Sequence, residues 1–380
     1  MNNDTHPKRR ARQLGLALQG ATGPLNAITD VPGIEVGFFT RNDALEAVAP
    51  DAKPVRSGVT VVFPRGKAGA DQSVWAGQFS LNGNGEMTGC HWVRDAGYFN
   101  GPIALTNSHS VGMVHHSLTR WMVRNVPAMH THHHWYMPIV AETYDGLAND
   151  INGLHITEAD VLQAIDGART GPVAEGNVGG GTGMQCYEFK GGTGTSSRTA
   201  VVEGQTYTVG VLVQANFGTR EDFMVLGVPV GTLWPEDALF SQIGLAETGS
   251  VIVVIATDAP LHPVQLQRLA KRGALGLART GTTGGVNSGD LVFAFSTANA
   301  RQWNPADTQH GAAIKSLHYL EDNLTDALSR AAVLATEEAV LNAMLAAEDM
   351  RCIKPAGVTL KAIDPQRLTR MLQSYRALPP

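Results

Sequence analysis

Residues 251–258, VIVVIATD, form an unbroken run of mostly β-branched apolar residues with no polar position before Thr257. A half-exposed strand alternates apolar and polar positions, so a run without alternation reads as a strand covered on both faces. Such a strand demands a packed layer on each side, and 380 residues are enough to supply both. Other segments read as further layers: SGVTVVFP at 57–64, PIALTNS at 102–108 and DLVFAFST at 290–297 as strands. Residues 206–218 and 223–231 read as the two strands of a hairpin. Val111, Val114, Leu118 and Trp121 fall on one face of a helix, and Thr157 with Asp160 reads as an N-cap ahead of Val161 and Leu162. Pro263 suits the first turn of a helix whose buried stripe is Leu266, Leu269 and Ala270, and Leu317, Leu320, Leu324 and Leu328 continue as one or two amphipathic helices to about Ala347. Runs of strands with helices grouped between them favour a layered α+β sandwich over a doubly wound sheet. With no internal repeat and no low-complexity linker, residues 1–380 are expected to form a single domain.

Glycine is the compositional departure, at 42 residues of 380, well above the usual share of roughly 7%. It is densest in GNVGGGTGMQCYEFKGGTGTSSR, 176–198, where Ser196 and Ser197 could cradle a phosphate. The segment matches neither the P-loop nor GxGxxG after a strand, so a structural turn is the expectation. A formal net charge of -5, with 29 scattered Lys and Arg against 34 Asp and Glu, gives no basis for nucleic-acid binding. No stretch approaches the ~18 apolar residues of a membrane span. The basic run PKRRAR at 7–12 is followed by too short an apolar core for an export signal. Cys90, Cys186 and Cys352 form no CxxC pair, so neither a disulfide framework nor a zinc site is expected, and a cytoplasmic location fits. Cys186 reads as a small buried hydrophobe.

The nucleophile elbow GxSxG is absent, which disfavours an α/β-hydrolase. Ser250 stands apart, following Gly249 at the entrance to the buried strand in AETGSVIVVIATD. Its hydroxyl could attack the preceding carbonyl, and a cut there would free an α-amino group of pKa near ~8 able to act as base for the same hydroxyl. The dipeptide alone only permits this, since Gly-Ser is also a common turn. The histidines His115, His116, His130, His132, His133 and His134 suggest a metal. HExxH is missing, however, no carboxylate lies at ligand spacing and consecutive side chains diverge, so a surface or subunit-contact loop is expected, with no metal.

GSVIVVIATDAPLHPVQLQRLAKRGALGLART with NSGDLVFAFSTAN resembles the processed small subunit of the DmpA-like aminopeptidases, the L-aminopeptidase/D-esterase and β-peptidyl aminopeptidase family. NAITDVPGIEVG, AETYDGLANDIN, GNVGGGTGM, KGGTGTSSR and VLVQANFG resemble the same family's larger subunit. The resemblance runs from about Arg10 to the C-terminal region. It implies a four-layer αββα sandwich with Ntn-hydrolase-like layering and different connectivity. It also implies self-cleavage between Gly249 and Ser250 into chains of residues 1–249 and 250–380, and assembly of processed chains into a homo-oligomer. The activity implied is removal of small N-terminal residues from peptides, amides or esters without a cofactor.

Carried over by position, Ser250 is both processing and catalytic nucleophile, Ser288 orients a proton at the freed amine, and Asp290 holds that pair. Asn216 and Tyr144 are the implied oxyanion donors. Glu142 is the carboxylate best suited to a substrate's ammonium. Some β-peptidyl members carry Glu where this chain has the shorter Asp290. Plainer readings stand beside these: Asp290 and Ser288 as turn residues, Asn216 as a strand cap, Tyr144 as half-buried packing, Glu142 in an internal ion pair. Two other functions compete. One is an acyltransferase resembling ornithine acetyltransferase, a group whose nucleophile is threonine; the other is an unprocessed phosphate-ligand binding protein.

Overall fold

The computed structural model describes residues 9–44, 53–131, 134–240, 244, 249–301 and 316–377. In chain order the strands are β1 (Glu35–Asn42), β2 (Arg56–Phe63), β3 (Ser73–Ser80), β4 (Tyr98–Phe99), β5 (Ile103–Asn107), β6 (Ile139–Thr143), β7 (Gln185–Cys186), β8 (Phe189–Lys190), β9 (Gly192–Val202), β10 (Gln205–Asn216), β11 (Ser250–Thr257), β12 (Gly289–Arg301), β13 (Met350–Ile353) and β14 (Ala356–Leu360). Ten of them build a four-stranded sheet of order β1-β2-β5-β6 and a six-stranded sheet of order β4-β3-β12-β11-β10-β9, and β7-β8 and β13-β14 form two small pairs. The apolar run is β11, antiparallel to β10 and parallel to β12, and every one of its residues is buried.

Alternation along these strands divides the core into layers. Ile252, Val254, Leu212 and Phe293 face Val62, Leu105 and Ile139 of the four-stranded sheet. Val251, Val253, Val211 and Val292 face the other way, against Leu266 and Leu269 of the helix Pro263–Ala278 and Ala332 and Ala339 of the helix Asp326–Leu345. The outer side of the four-stranded sheet, with Val59, Val61 and Val140, packs on Val114 and Leu118 of the helix Val111–Asn125 and Val161 and Ile165 of the helix Glu158–Asp166. The order is helix, sheet, sheet, helix, as expected. Full burial of each Val or Ile of β11 is worth roughly 1.5–3 kcal/mol, which explains why neither face tolerates polar residues.

Local signals account for several boundaries. Asp160 accepts a hydrogen bond from the Thr157 backbone N–H at 2.8 Å, opening the helix as expected, and Pro263 stands at the start of its helix. Other expectations need correction. Residues 223–231 do not pair with β10; its hairpin partner is β9, across the turn at Glu203 and Gly204. Residues 225 and 228 close a tight turn instead. The helix expected from Leu317 starts at Asp326, after a short 3-10 turn at Asp322–Leu324.

The Gly-rich stretch is half turn and half strand. Its first glycines form the turn Gly179–Gly181 between the sheets, while its end is β9, buried under the helix Asp326–Leu345. Ser196 Oγ donates to Ala335 O at 2.6 Å and Ser197 Oγ to Asp30 Oδ2 at 2.6 Å, so both hydroxyls are used internally. A Cβ on Gly194 would lie 2.1 Å from the carbonyl oxygen of Ala339, and one on Gly37 of β1 would lie 2.0 Å from that of Ala164. Each glycine lets a helix rest directly on strand backbone. The long helix is held further by a buried ion pair, Arg198 with Glu338 at 2.6 Å, to which Arg12 adds a second guanidinium at 2.9 Å.

Gly194→Ala is therefore expected to cost about 1–3 kcal/mol, because the helix must lift off the sheet. Gly112, where an added Cβ meets nothing within 4 Å, provides the control, and Gly112→Ala should be neutral or slightly stabilising. Equilibrium denaturation of both variants checks this, and equal stability of the two would refute the docking argument.

Candidate active site

Ser250 is the first residue of β11 and is 4% exposed. In register it lies opposite Asn216, the last residue of β10, and Gly289, the first of β12. Side chains directly opposite on neighbouring strands share a face, so Ser250 and Asn216 both point between the sheets. Asn216 Nδ2 approaches Ser250 Oγ at 3.5 Å and donates to Tyr144 O at 3.2 Å. Its Oδ1 accepts from Gln185 N at 3.0 Å, which fixes the amide with its donor side toward Ser250.

Gly249 precedes the strand in the continuous chain. Its carbonyl oxygen accepts from Gly289 N at 3.3 Å, so residues 288–290 flank the Gly249–Ser250 bond. A Cβ on Gly249 would lie 2.7 Å from both Asn216 O and Phe217 Cα. The glycine is required there by space against β10; its φ is not positive.

Ser288 Oγ donates to Asp290 Oδ1 at 2.6 Å, and both residues are 1% exposed. Burial pushes the Asp290 carboxyl up from its ordinary range, and hydrogen bonds from Ser288 and Asn82 pull it back. Asp290 lies one residue beyond the register partner of Ser250, and Val292 and Ala294, which follow it at alternate positions, pack on the helix side of the sheet. The serine hydroxyl and the Ser288–Asp290 pair thus lie on opposite faces of the sheet at this end of the strands.

Glu142, near the end of β6, is 7% exposed. Its Oε1 accepts from Glu86 N at 2.8 Å and its Oε2 accepts from Ser108 Oγ. A Cβ on Gly85 would lie 3.3 Å from Glu142 Oε1 and 3.3 Å from Gly289 Cα, so a single backbone segment separates the carboxylate from the strand entrance. No cation pairs with Glu142 among the described residues, unlike the internal ion pair first weighed for it. Tyr144 contributes its carbonyl to Asn216, and its side chain is 40% exposed, folded toward Gly146. Next to it Asp145 is fully buried, hydrogen-bonded by Asn149 Nδ2 at 2.9 Å, with its carboxyl pushed up by burial to about 6.

Sequence reasoning missed Asn82, Ser108 and the backbone N–H groups of Gly289, Glu86 and Gln185. NGNGE at 82–86 has the Asn-Gly chemistry of a tight turn, but nothing local ties it to Asp290, more than two hundred positions away in the chain. Among the described residues no group of three or more His, Cys, Asp and Glu could hold a metal ion. His130 Nε2 lies 2.7 Å from Val123 O and His134 Nε2 lies 3.1 Å from Asn100 Nδ2, while His132 and His133 fall outside the described residues. Cys90, Cys186 and Cys352 form no disulfide among the described residues and are buried, and burial raises the Cys90 thiol to about 12. No helix among the described residues is long and apolar enough to cross a membrane.

The model of peptidase family S58 matches residues 26–357. The chain is 44% identical over 381 residues to the beta-peptidyl aminopeptidase BapA of Sphingosinicella microcystinivorans, covering 97% of this chain and 93% of that one. The structure superposes with a TM-score of 0.89 and 48% identity on the L-aminopeptidase D-Ala-esterase/amidase of Ochrobactrum anthropi, covering 97% and 99% of the two chains. That enzyme is described as a prototype for the serine aminopeptidases and a new variant among the Ntn hydrolase fold. A Burkholderia sp. beta-aminopeptidase superposes with a TM-score of 0.88 and 42% identity, over 98% of this chain and 100% of that one. These relatives favour the hydrolase over both the acyltransferase and the phosphate-binding reading, and the chain belongs to peptidase family S58, as a serine aminopeptidase with the Ntn-hydrolase fold variant.

Proposed function

We propose that the chain cuts itself between Gly249 and Ser250 and then, as a single domain of two associated chains, 1–249 and 250–380, removes small unblocked N-terminal residues from peptides, amides or esters. The observation that carries this reading is the placing of Ser250 Oγ beside Asn216 Nδ2, with the Gly249 carbonyl held by Gly289 N. In the first reaction Ser250 Oγ attacks the Gly249 carbonyl carbon, the C–N bond breaks and the nitrogen takes the hydroxyl proton. Water then hydrolyses the resulting ester, leaving a Gly249 carboxylate and a free Ser250 amine and hydroxyl.

In the second reaction the amine, of pKa near ~8, takes the proton of its own hydroxyl as that oxygen attacks the substrate carbonyl. Asn216 Nδ2 donates to the oxyanion, and the Tyr144 phenol is its second donor once turned from Gly146. The Ser288–Asp290 pair addresses the amine from the opposite face and holds its lone pair toward the hydroxyl. Glu142 receives the substrate's ammonium, which restricts the enzyme to free N-termini. BapA and the Burkholderia enzyme are named for β-amino acids and the Ochrobactrum enzyme for L-amino acids and D-Ala esters, so glycyl, alanyl and β-alanyl derivatives are the substrates to try. Processed chains assemble as a homo-oligomer in the cytoplasm, a compartment that suits three cysteines without a disulfide among the described residues.

Purified protein should contain a fragment beginning at Ser250, and Ser250→Ala should remain full length. Intact mass and N-terminal sequencing decide this, and an uncut chain with full activity would falsify the mechanism. EDTA should leave activity unchanged; loss reversed by zinc would overturn the metal-free reading.

Glu142→Gln should lower kcat/KM on amino-acid amides by on the order of a hundredfold, since a desolvated ammonium left without its partner typically costs ~3 kcal/mol. Processing should survive, because the Gly249–Ser250 bond presents no free amine. N-acetylated substrates should be poor for the wild type, and equal rates on blocked and free substrates would show Glu142 to be misassigned.

A further inference from the structure

The geometry points to Asn82 as a positioning residue that fixes Asp290 for its work on the Ser250 amine, an inference that rests on the mechanism proposed above. Asn82 lies just past β3, in the loop that crosses the strand entrance; a Cβ on Gly289 would lie 2.4 Å from Asn84 O. Asn82 and Asp290 exchange two bonds. Asp290 N donates to Asn82 Oδ1 at 2.8 Å, and Asn82 Nδ2 donates to Asp290 Oδ2 at 3.2 Å. The same Nδ2 donates to Gly285 O at 2.9 Å, and that carbonyl also accepts from Ser288 N at 2.9 Å. Asn82 therefore braces both the carboxylate and the turn that carries Ser288.

The two carboxylate oxygens of Asp290 are divided between two donors, Ser288 on Oδ1 and Asn82 on Oδ2. A carboxylate held by one donor alone can rotate about its terminal torsion, which is broad for Asp. Held by both, it keeps Oδ1 aimed at Ser288, whose hydroxyl then presents a fixed lone pair to the amine. Asn82 also bears on the charge of Asp290. Burial favours the protonated form, and the donors that oppose it are the Ser288 hydroxyl, from the 284–288 turn, and the Asn82 amide. The Ser250 amine, freed by cleavage, approaches from β11. Glu142 is the carboxylate on the other side of Gly85. Without the Asn82 donor the proton leaves Asp290 at a higher pH.

The loop has a second attachment, which makes the test selective. Glu86 N, four residues on, binds Glu142, so a general collapse of the loop would disturb ammonium binding and raise KM. Loss of Asp290 positioning alone would lower kcat with KM intact. Asn82→Asp is the informative variant, because it keeps the size and the acceptor for Asp290 N and turns the donor into a second carboxylate oxygen. Asn82→Ala removes both.

The experiment measures kcat and KM of the processed enzyme on an unblocked β-alanyl or alanyl amide from pH 5 to 10, for wild type and both variants. The acidic limb of kcat should move to higher pH in Asn82→Asp, with a loss of about tenfold at the acid end of the range that recovers toward pH 9. KM should stay within about twofold of wild type. Because the amine is free only after cleavage, both variants should still cut themselves, as followed on a gel. A limb that stays in place, or a rise in KM at constant kcat, overturns the role of Asn82. A wild type that neither cuts itself nor releases N-terminal residues sinks the mechanism, an outcome seen before any variant is compared.

Discussion

The register of β11 is the constraint on which the site depends. A strand with alternating apolar and polar residues is held in register because a slip of one residue turns its apolar set outward. β11 is apolar on both faces, so a slip would cost it little by that criterion. Its register is set instead by polar bonds at the far end. Thr257 Oγ1 donates to Thr208 O at 2.8 Å, Thr208 N to Asp258 Oδ1 at 2.7 Å, and Ser296 Oγ to Ala259 O at 2.6 Å. These pins tie β11 to both neighbouring strands at one end, and with no bulge in either ladder they place Ser250 opposite Asn216 and Gly289 at the other. The site is thus aligned by residues at the opposite edge of the sheet.

From that alignment the division of labour follows. The strand pleat sends the Ser250 hydroxyl toward Asn216, between the sheets, and leaves the Ser288–Asp290 pair at the other face of the edge. A hydroxyl that needed a side-chain base would be poorly served by that arrangement. The proposed mechanism asks for no such base, since the nucleophile would carry its own on the same residue. The buried carboxylates differ in their surroundings as well. Both are met by two neutral donors, but those of Asp290 are side chains, Ser288 and Asn82, whereas Glu142 takes one from the backbone of the loop that also braces Asp290 and one from Ser108.

How much of this could be read in advance depended on where the information lay. The run at 251–258 announced a two-faced strand, and Pro263 and the Thr157–Asp160 pair marked their helices, because each signal is local. The hairpin assigned to 223–231 failed for a related reason. FMVLGVPVG has strand composition, yet Val225 and Val228 pair with each other, and the true partner of β10 was hidden in a Gly-rich segment that looked like a turn. β9 tolerates its glycines because a helix lies directly on them, a tertiary fact without a local signature. Ser250 stood out locally only as a Gly-Ser bond before a buried strand, and resemblance gave it and Ser288, Asp290, Asn216, Tyr144 and Glu142 their roles; without it they read as turns, a cap, a packed side chain or half of an ion pair. Asn82 carried no signal of either kind, since its partner is brought to it only by the pairing of β3 with β12.

The position of the proposed cut is also the position at which the sheet can best survive one. Breaking the chain before Ser250 leaves all of β11, from Ser250 to Thr257, on one fragment, so neither the ladder to β10 nor that to β12 loses a residue. A break even two residues later would strand Val251 on the wrong fragment and free the end that faces Asn216. The fragments would then remain locked by strand pairing, β10 to β11 and β3 to β12, and by the apolar layers on both sides. A nucleophile placed one residue upstream, at Gly249, would have no room for a side chain against Phe217. One placed downstream, at Val251, would face the helix layer, away from Asn216 and Glu142. The first residue of this strand is the place where a free amine, a hydroxyl and an intact sheet are compatible.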